Sequence, residues 1–173
     1  MPNQPIPNIQ QDDPQSITIL QINLNKSDKA HLDLLNEDLS LNYDIILIQE
    51  PYTTTFNMLR TPGNFRQVIP VNRLQNQIRS AIWVNKRLDT TDWISLDVPE
   101  SNDITAIQLK GPYGKLAIFN DCTHSENQTI LENYIRRNAN QLTRSENHHM
   151  IWAEDFNRDH PLWDDDEDTH LFT

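Results

Sequence analysis

Apolar and polar residues follow one another in two different patterns near the start of the chain. Ser16–Leu24 alternates with the period of a strand and is rich in β-branched residues, whereas Asp44–Gln49 is a continuous apolar run, typical of a strand covered on both faces. Between them, Ser27 or Asp28 can cap a helix whose apolar residues recur at helical spacing as far as Leu41. The pattern therefore predicts a strand, a helix and a second strand.

Several short apolar segments follow at close intervals, which favours antiparallel pairing with a turn at Pro112-Tyr113-Gly114. The predicted strands are Gln67–Pro70, Ser80–Val84, Trp93–Val98, Ile104–Leu109 and Lys115–Asn120. Gln128–Leu142 then places apolar residues on one helical face, and His148–Trp152 is a short final strand. Met1–Gln15 contains four prolines and has no apolar periodicity. We interpret residues 1–15 as a flexible leader before a single domain over residues 16–173.

Composition restricts the classes of function. The 173 residues include three glycines, which makes a glycine-rich phosphate loop an unfavoured solution, and one cysteine, Cys122, which excludes an internal disulfide. No apolar stretch approaches the roughly 18 residues that span a bilayer, and the first residues do not form a signal peptide. We therefore expect an intracellular chain that does not bind membranes. Zinc is not indicated, because the histidines have no suitably spaced partners.

The formal net charge of −11 is concentrated near the end of the sequence. Residues 154–168 contain eight acidic residues and one arginine, which gives −7 for that segment alone. Because Lys and Arg contacts dominate binding to phosphate backbones, bulk charge disfavours nucleic-acid binding by this chain. Any such binding has to come from a specific site.

Polar residues that could form a site follow three of the predicted strands. Asn23 ends the first strand, Glu50 follows the second, and Asp155 and Asn157 follow the last. Ligands of α/β sheets collect at such strand ends, where Glu50 can hold Mg²⁺, the carboxamides can donate to phosphate oxygens, and Asp155 can orient or deprotonate a water. Each residue alone is more often part of a turn, but their coincidence favours a phosphodiesterase site.

Three segments carry a resemblance to a known family: Ile19–Ser27 (ILQINLNKS), Asp44–Pro51 (DIILIQEP) and Trp152–Asn157 (WAEDFN). In this order they resemble the endonuclease/exonuclease/phosphatase superfamily, most closely the endonuclease domain of non-LTR retrotransposons. The resemblance runs from about Ser16 to the C-terminus. It implies an α/β fold in which a two-sheet β-sandwich is flanked by helices, and a Mg²⁺- or Mn²⁺-dependent phosphodiesterase that acts on DNA.

The resemblance also implies roles for individual residues. Glu50 looks like the metal ligand, and Asn23, Asp155 and Asn157 look like the family's catalytic residues. His160, in a His-Pro-Leu-Trp segment similar to that of the retrotransposon branch, is a candidate phosphate-proximal residue, although a capping or packing role before Pro161 explains it equally well.

Three departures from the family pattern leave a second hypothesis open. Glu154 replaces the glycine before the Asp-Phe-Asn motif, the strand end at Phe119–Cys122 has no tyrosine, and the sequence ends before the family's later aspartate and its Ser-Asp-His segment. The chain is therefore either a metal-dependent nuclease or an inactive remnant or interaction protein with this fold. We expect a fold that is incomplete at its C-terminus, with an unclosed sheet edge, exposed apolar surface and possible self-association. The sequence does not distinguish DNA from RNA or from other phosphoesters.

Overall fold

The computed structural model of the protein describes residues 16–70, 77–99, 101–112, 114–122, 126–143 and 146–154. Within these residues the chain forms eight strands, three helices and one 3₁₀ turn. In chain order they are β1 (Ile19–Asn23), α1 (Asp28–Asn36), the 3₁₀ turn (Leu39–Leu41), β2 (Ile45–Gln49), β3 (Phe65–Val68), β4 (Ser80–Asn85), β5 (Trp93–Leu96), β6 (Ile104–Gly111), β7 (Gly114–Asp121), α2 (Glu126–Arg137), α3 (Ala139–Leu142) and β8 (His148–Glu154).

The strands form two mixed sheets of four strands each. The first has the order β1-β2-β4-β3, in which β1 and β2 are parallel and the other pairs antiparallel. The second has the order β5-β6-β7-β8, in which β7 and β8 are parallel and the other pairs antiparallel. The predicted two-sheet α/β sandwich is confirmed.

Each sheet is covered on both faces. Ile45 and Leu47 of β2 point between the sheets and pack in one cluster with Ile107 and Ile118. On the outer face of the first sheet, Ile46 and Ile48 pack in a cluster with Leu34 of α1 and the fully buried Trp83. Leu131 of α2 and Leu142 of α3 cover the second sheet around Phe119. The continuous apolar run of β2 is thus explained, because all five of its residues are buried between two layers.

The two predicted helices depart from their apolar periodicity in different ways: the first ends earlier, and the second is interrupted before it ends at Leu142. Ser27 caps α1 as predicted, with its Oγ accepting from the Ala30 N–H at 3.2 Å, but the helix ends at Asn36 because Glu37 is extended. In the second case Asn138 separates α2 from α3, and its side-chain amide donates to the carbonyl of Tyr134 at 2.9 Å. Asn side chains compete in this way with helical hydrogen bonds, which apolar spacing does not reveal.

β1 and β8, one edge strand from each sheet, lie on the same side of the sandwich. Among the residues that the structure describes, β1 and β8 each pair with one neighbour. Met150 and Ile151 of β8 are 42% and 38% exposed, respectively.

The described helices include none of the length and apolar character needed to cross a membrane.

Gly114 begins β7 with a φ of +109°, and a side chain there would collide with the backbone carbonyl oxygen of Asn147. The same carbonyl accepts a 2.8 Å hydrogen bond from the Lys115 N–H, so the close approach joins β7 to the start of β8. Gly114→Ala is therefore expected to lower the free energy of unfolding by about 1–3 kcal/mol. Gly63→Ala is the control, because a side chain there meets nothing within 4 Å. Equal urea midpoints for the two variants would contradict this account.

His31 gives the fold a pH dependence. Its ring is buried, its Nε2 lies 3.0 Å from the carbonyl oxygen of Arg60, and it meets Trp83 edge-on with ring centroids 5.8 Å apart. Burial lowers the pKa of His31 from its usual 6.5, so the folded state favours the neutral ring with Nε2–H donating to Arg60. The stability that this provides is complete above pH 6.5 and is lost as the pH falls towards the folded pKa, because the unfolded chain takes up the proton first.

The expected result is a steeper fall in unfolding free energy below pH 6.5 for the wild type than for His31→Phe. His149→Gln, a change at an exposed histidine, is the matched control and should keep the wild-type slope. Urea titrations at a series of pH values measure the slopes. Parallel curves for wild type and His31→Phe would show that His31 does not carry the effect.

Candidate active site at the carboxyl ends of the strands

The parallel pairing of β1 and β2 brings two of the predicted site residues to one edge. Asn23 is the register partner of Gln49, and Glu50 follows directly. Backbone hydrogen bonds continue past the strands, from the Leu24 N–H to the Gln49 carbonyl at 2.9 Å and from the Lys26 N–H to the Glu50 carbonyl at 2.8 Å. Asn23 and Glu50 thus lie at neighbouring strand ends, as the sequence predicts.

Left-handed backbone conformations cluster at this edge. Asn25, Lys26 and Glu50 have φ values of +45°, +54° and +46°. A non-glycine residue in this region costs about 1–3 kcal/mol and persists where its surroundings hold it, and such residues concentrate at functional sites. Glu50 is held by its N–H, which donates to the Arg79 carbonyl at 2.8 Å, and by the bond from Lys26. The side chain of Asn23 stabilises the following turn, because its Oδ1 accepts a 2.7 Å hydrogen bond from the Asn25 N–H.

The Glu50 carboxylate belongs to a chain of charged groups. Its Oε1 lies 3.3 Å from the Nη2 of Arg79, and the Nη1 of Arg79 lies 3.4 Å from the Oδ2 of Asp103. The three side chains are each about one-fifth exposed. One guanidinium therefore pairs with two carboxylates. The three side chains together carry a net charge of −1 at the ends of the strands.

Cys122 lies against the same carboxylate. Its Sγ is 3.9 Å from Glu50 Oε1, and its N–H donates to the Asp103 carbonyl at 3.0 Å. Burial raises the pKa of Cys122 to about 11, an effect that the positive charge of Arg79 reduces but does not reverse. At neutral pH the group is therefore a protonated, buried thiol with no nucleophilic role, in agreement with its predicted packing function.

The second sheet ends at the same edge. Gln49 Nε2 donates to the Asp121 carbonyl at 3.3 Å, and Gln21 Nε2 donates to the Glu154 carbonyl at 3.1 Å. Asp121 is the register partner of Glu154, so the ends of β7 and β8 face β1 and β2 across the sandwich. Asp155 follows Glu154 in the sequence, but Asp155, Asn157 and His160 all lie outside the described residues.

A buried polar network joins the two sheets beneath this edge. The Asn120 side-chain amide donates to the carbonyls of Ile48 and Ala81 at 2.9 and 3.0 Å. In return, Ser80 Oγ donates to the Asn120 carbonyl at 2.7 Å, and Thr105 Oγ1 donates to the Ser80 carbonyl at 3.0 Å. Asn120 and Ser80 are fully buried. The network therefore fixes β2, β4, β6 and β7 relative to one another close to Glu50.

Sequence reasoning missed Arg79 and Asp103 and gave no role to Asp121. Arg79 precedes β4, which runs antiparallel to β2, so the start of β4 lies beside the end of β2. Asp103 precedes β6 and Asp121 ends β7 at the same level of the second sheet. Each of these charged residues lies next to a predicted strand in the sequence. Predicting that they meet requires knowing which strands are neighbours, and the sequence alone does not give that order.

The donors at this edge are oxygens, which suit Mg²⁺ or Mn²⁺. No three His, Cys, Asp or Glu side chains within the described ranges are arranged to hold a metal ion. Mg²⁺ commonly binds through one or two carboxylates and completes its shell with water and substrate phosphates, so a preformed cage is not required. Glu50 would supply one such carboxylate, which is one-fifth exposed, and its Oε1 is paired with the Arg79 guanidinium in this structure.

The chain shares its fold with two solved structures, and the predicted resemblance to a retrotransposon endonuclease domain is confirmed at the level of the fold. The chain is similar to the endonuclease domain of TRAS1, a telomere-specific non-LTR retrotransposon, with a TM-score of 0.61 and 20% identity over 86% of this chain and 62% of that one. It is also similar to a humanized D. rerio TDP2 with 14 mutations, with a TM-score of 0.52 and 15% identity over 83% of this chain and 63% of that one.

The chain thus spans less than two thirds of the length of these two proteins. The sequence by itself matches no protein-family profile and no curated protein. The structural neighbours support a nuclease-like fold, and they give no support for the predicted self-association.

Proposed function

We propose that this chain is a Mg²⁺- or Mn²⁺-dependent phosphodiesterase that hydrolyses DNA, with its site at the shared strand edge around Glu50. The observation that carries the proposal is the position of Glu50, which is held in a left-handed conformation where strands of both sheets end. The TRAS1 neighbour, which is an endonuclease domain of a retrotransposon, supports the choice of a phosphodiester in DNA as the substrate.

The residues have separable roles in this proposal. Glu50 would hold the divalent ion, which would supply Lewis-acid polarisation of the scissile phosphate and help to activate the attacking water. Asn23 and Asn157 donate hydrogen bonds to phosphate oxygens, and Asp155 orients the attacking water or accepts its proton. His160, which follows Asn157 by three positions, is the candidate phosphate-proximal residue.

Net charge makes the expected DNA affinity low in the absence of metal. The acidic segment over residues 154–168 repels phosphate, and the whole chain has 14 Lys and Arg against 25 Asp and Glu. Binding and cleavage should therefore both depend strongly on the divalent ion.

The test is conversion of supercoiled plasmid to nicked circles by the purified chain in Mg²⁺ or Mn²⁺, with EDTA as the control. The proposal predicts nicking that requires the metal. A single-stranded RNA of matched length tests the choice of substrate, because equal cleavage of RNA would contradict a DNA-directed enzyme. Metal-independent binding of the plasmid without nicking would contradict the proposal and favour an interaction protein.

A further inference from the structure

Arg79 contacts two carboxylates, and both contacts are longer than the arginine–carboxylate contact at the other end of β2. Its Nη–O distances to Glu50 and Asp103 are 3.3 and 3.4 Å. At the other end of β2, the Nε of Arg87 lies 2.7 Å from Asp44 Oδ1, the usual length of a charge-assisted hydrogen bond. The Nε of Arg79 is buried and has no hydrogen-bond partner within the described part of the chain. Arg79 is therefore shared between two acids, and neither contact is as short as the Arg87–Asp44 hydrogen bond.

The guanidinium has the chemistry to bind a different anion at this position. Its planar fork of donors matches phosphate oxygens as well as carboxylates. A divalent ion on Glu50 would supply the positive charge that Arg79 supplies in this structure, so Arg79 would no longer be needed as the counter-ion of Glu50. Asp103, the second acid, would keep the guanidinium at the edge of the site.

We propose that Arg79 is a substrate-binding residue that exchanges the Glu50 carboxylate for a phosphate oxygen of the nucleic acid when a divalent ion binds, with Asp103 as its anchor. This inference rests on the proposed function and specifies the order of events at the same site. Without metal, Arg79 contacts Glu50 and adds little to DNA binding. With metal, Arg79 is released towards the phosphate and strengthens binding.

The exchange makes metal binding and DNA binding cooperative. Two ligands that each favour the same rearrangement must increase each other's affinity by the same factor. A simple charge effect of Arg79 would differ, because a fixed positive charge would favour DNA to a similar extent with and without metal. The ratio of the two DNA affinities therefore separates an exchanging arginine from a static one.

The experiment measures two quantities on the full chain. Electron paramagnetic resonance of free Mn²⁺ gives the Mn²⁺ affinity, and fluorescence anisotropy gives the affinity for a cleavage-resistant phosphorothioate duplex with and without Mn²⁺. In Arg79→Gln we expect Mn²⁺ alone to bind about tenfold more tightly, and DNA affinity to fall about tenfold in Mn²⁺, each factor corresponding to about 1.4 kcal/mol. DNA affinity without Mn²⁺ should change less than threefold.

Arg87→Gln is the matched control, because it removes an arginine from a carboxylate at the opposite end of the same strand. It should leave all three affinities at their wild-type values. Arg79→Lys is the second variant: it keeps the charge but loses the planar fork, so DNA affinity in Mn²⁺ should still fall. Circular dichroism confirms that the variants are folded.

The inference is overturned if Arg79→Gln weakens DNA binding equally with and without Mn²⁺, or if it weakens Mn²⁺ binding. The proposed function fails in a different way, namely if the wild type binds no Mn²⁺ or if Glu50→Gln leaves Mn²⁺ binding unchanged. The two failures are therefore distinguishable in the same set of titrations.

Discussion

Glu50→Gln is expected to reduce metal-dependent plasmid nicking by at least about 100-fold, because a metal ion contributes several kcal/mol of transition-state stabilisation. The substitution keeps the shape of the side chain and removes the negative charge that attracts the ion. Because that carboxylate is the proposed metal ligand, the Mn²⁺ affinity should fall together with the activity. Initial rates of nicking at saturating Mg²⁺ and at saturating Mn²⁺ measure the effect.

Glu37→Gln is the matched control for this prediction. Glu37 is exposed at the end of α1, so the same change in charge and shape takes place away from the strand edge. Its nicking rate should equal that of the wild type. Nicking that persists in Glu50→Gln would assign the activity to another site or to a contaminating nuclease.

Asn120→Leu is expected to lower the free energy of unfolding by about 2–6 kcal/mol, because the carbonyls of Ile48 and Ala81 each lose a buried donor at a cost of about 1–3 kcal/mol. Leucine keeps the branching of asparagine but is larger, so overpacking at this fully buried position adds to the loss of the hydrogen bonds. Ile48 lies two residues before Glu50, and the site should therefore loosen as well. Urea denaturation followed by tryptophan fluorescence gives the stability, and Mn²⁺ titration gives the effect on the site.

Thr105→Val provides the comparison within the same network. It removes one hydrogen bond, from Thr105 Oγ1 to the Ser80 carbonyl, with almost no change in shape. We expect a loss of about 1 kcal/mol or somewhat more. A smaller loss for Asn120→Leu than for Thr105→Val would show that Asn120 is not the principal connection between the sheets.

Hydrophobic periodicity predicted the strands well and the ends of the helices less well. The apolar run before Glu50 predicted a strand buried on both faces, and all five residues of β2 are buried. The predicted strand Gln67–Pro70 instead lies at Phe65–Val68, where Phe65 is the register partner of Asn85. Register depends on the neighbouring strand, which a local pattern does not contain.

Only the part of the candidate site that lies at the ends of the two parallel strands β1 and β2 could be predicted from the sequence. Asn23 and Glu50 could be placed together because a strand, a helix and a strand form a parallel pair. The Arg79 contacts could not be predicted, because they depend on β4 pairing antiparallel to β2 and on Asp103 reaching the same edge from the second sheet. The roles predicted for the site residues all remain predictions: Asn23, Glu50, Asp155, Asn157 and His160.

The central claim is that Glu50 is the metal ligand of a phosphodiesterase site at the shared strand edge. Anomalous diffraction from crystals soaked in Mn²⁺ tests it most directly. The account predicts an anomalous peak in direct contact with the Glu50 carboxylate, with the Arg79 guanidinium turned away from that carboxylate. A peak elsewhere, with Glu50 still paired to Arg79, would contradict it.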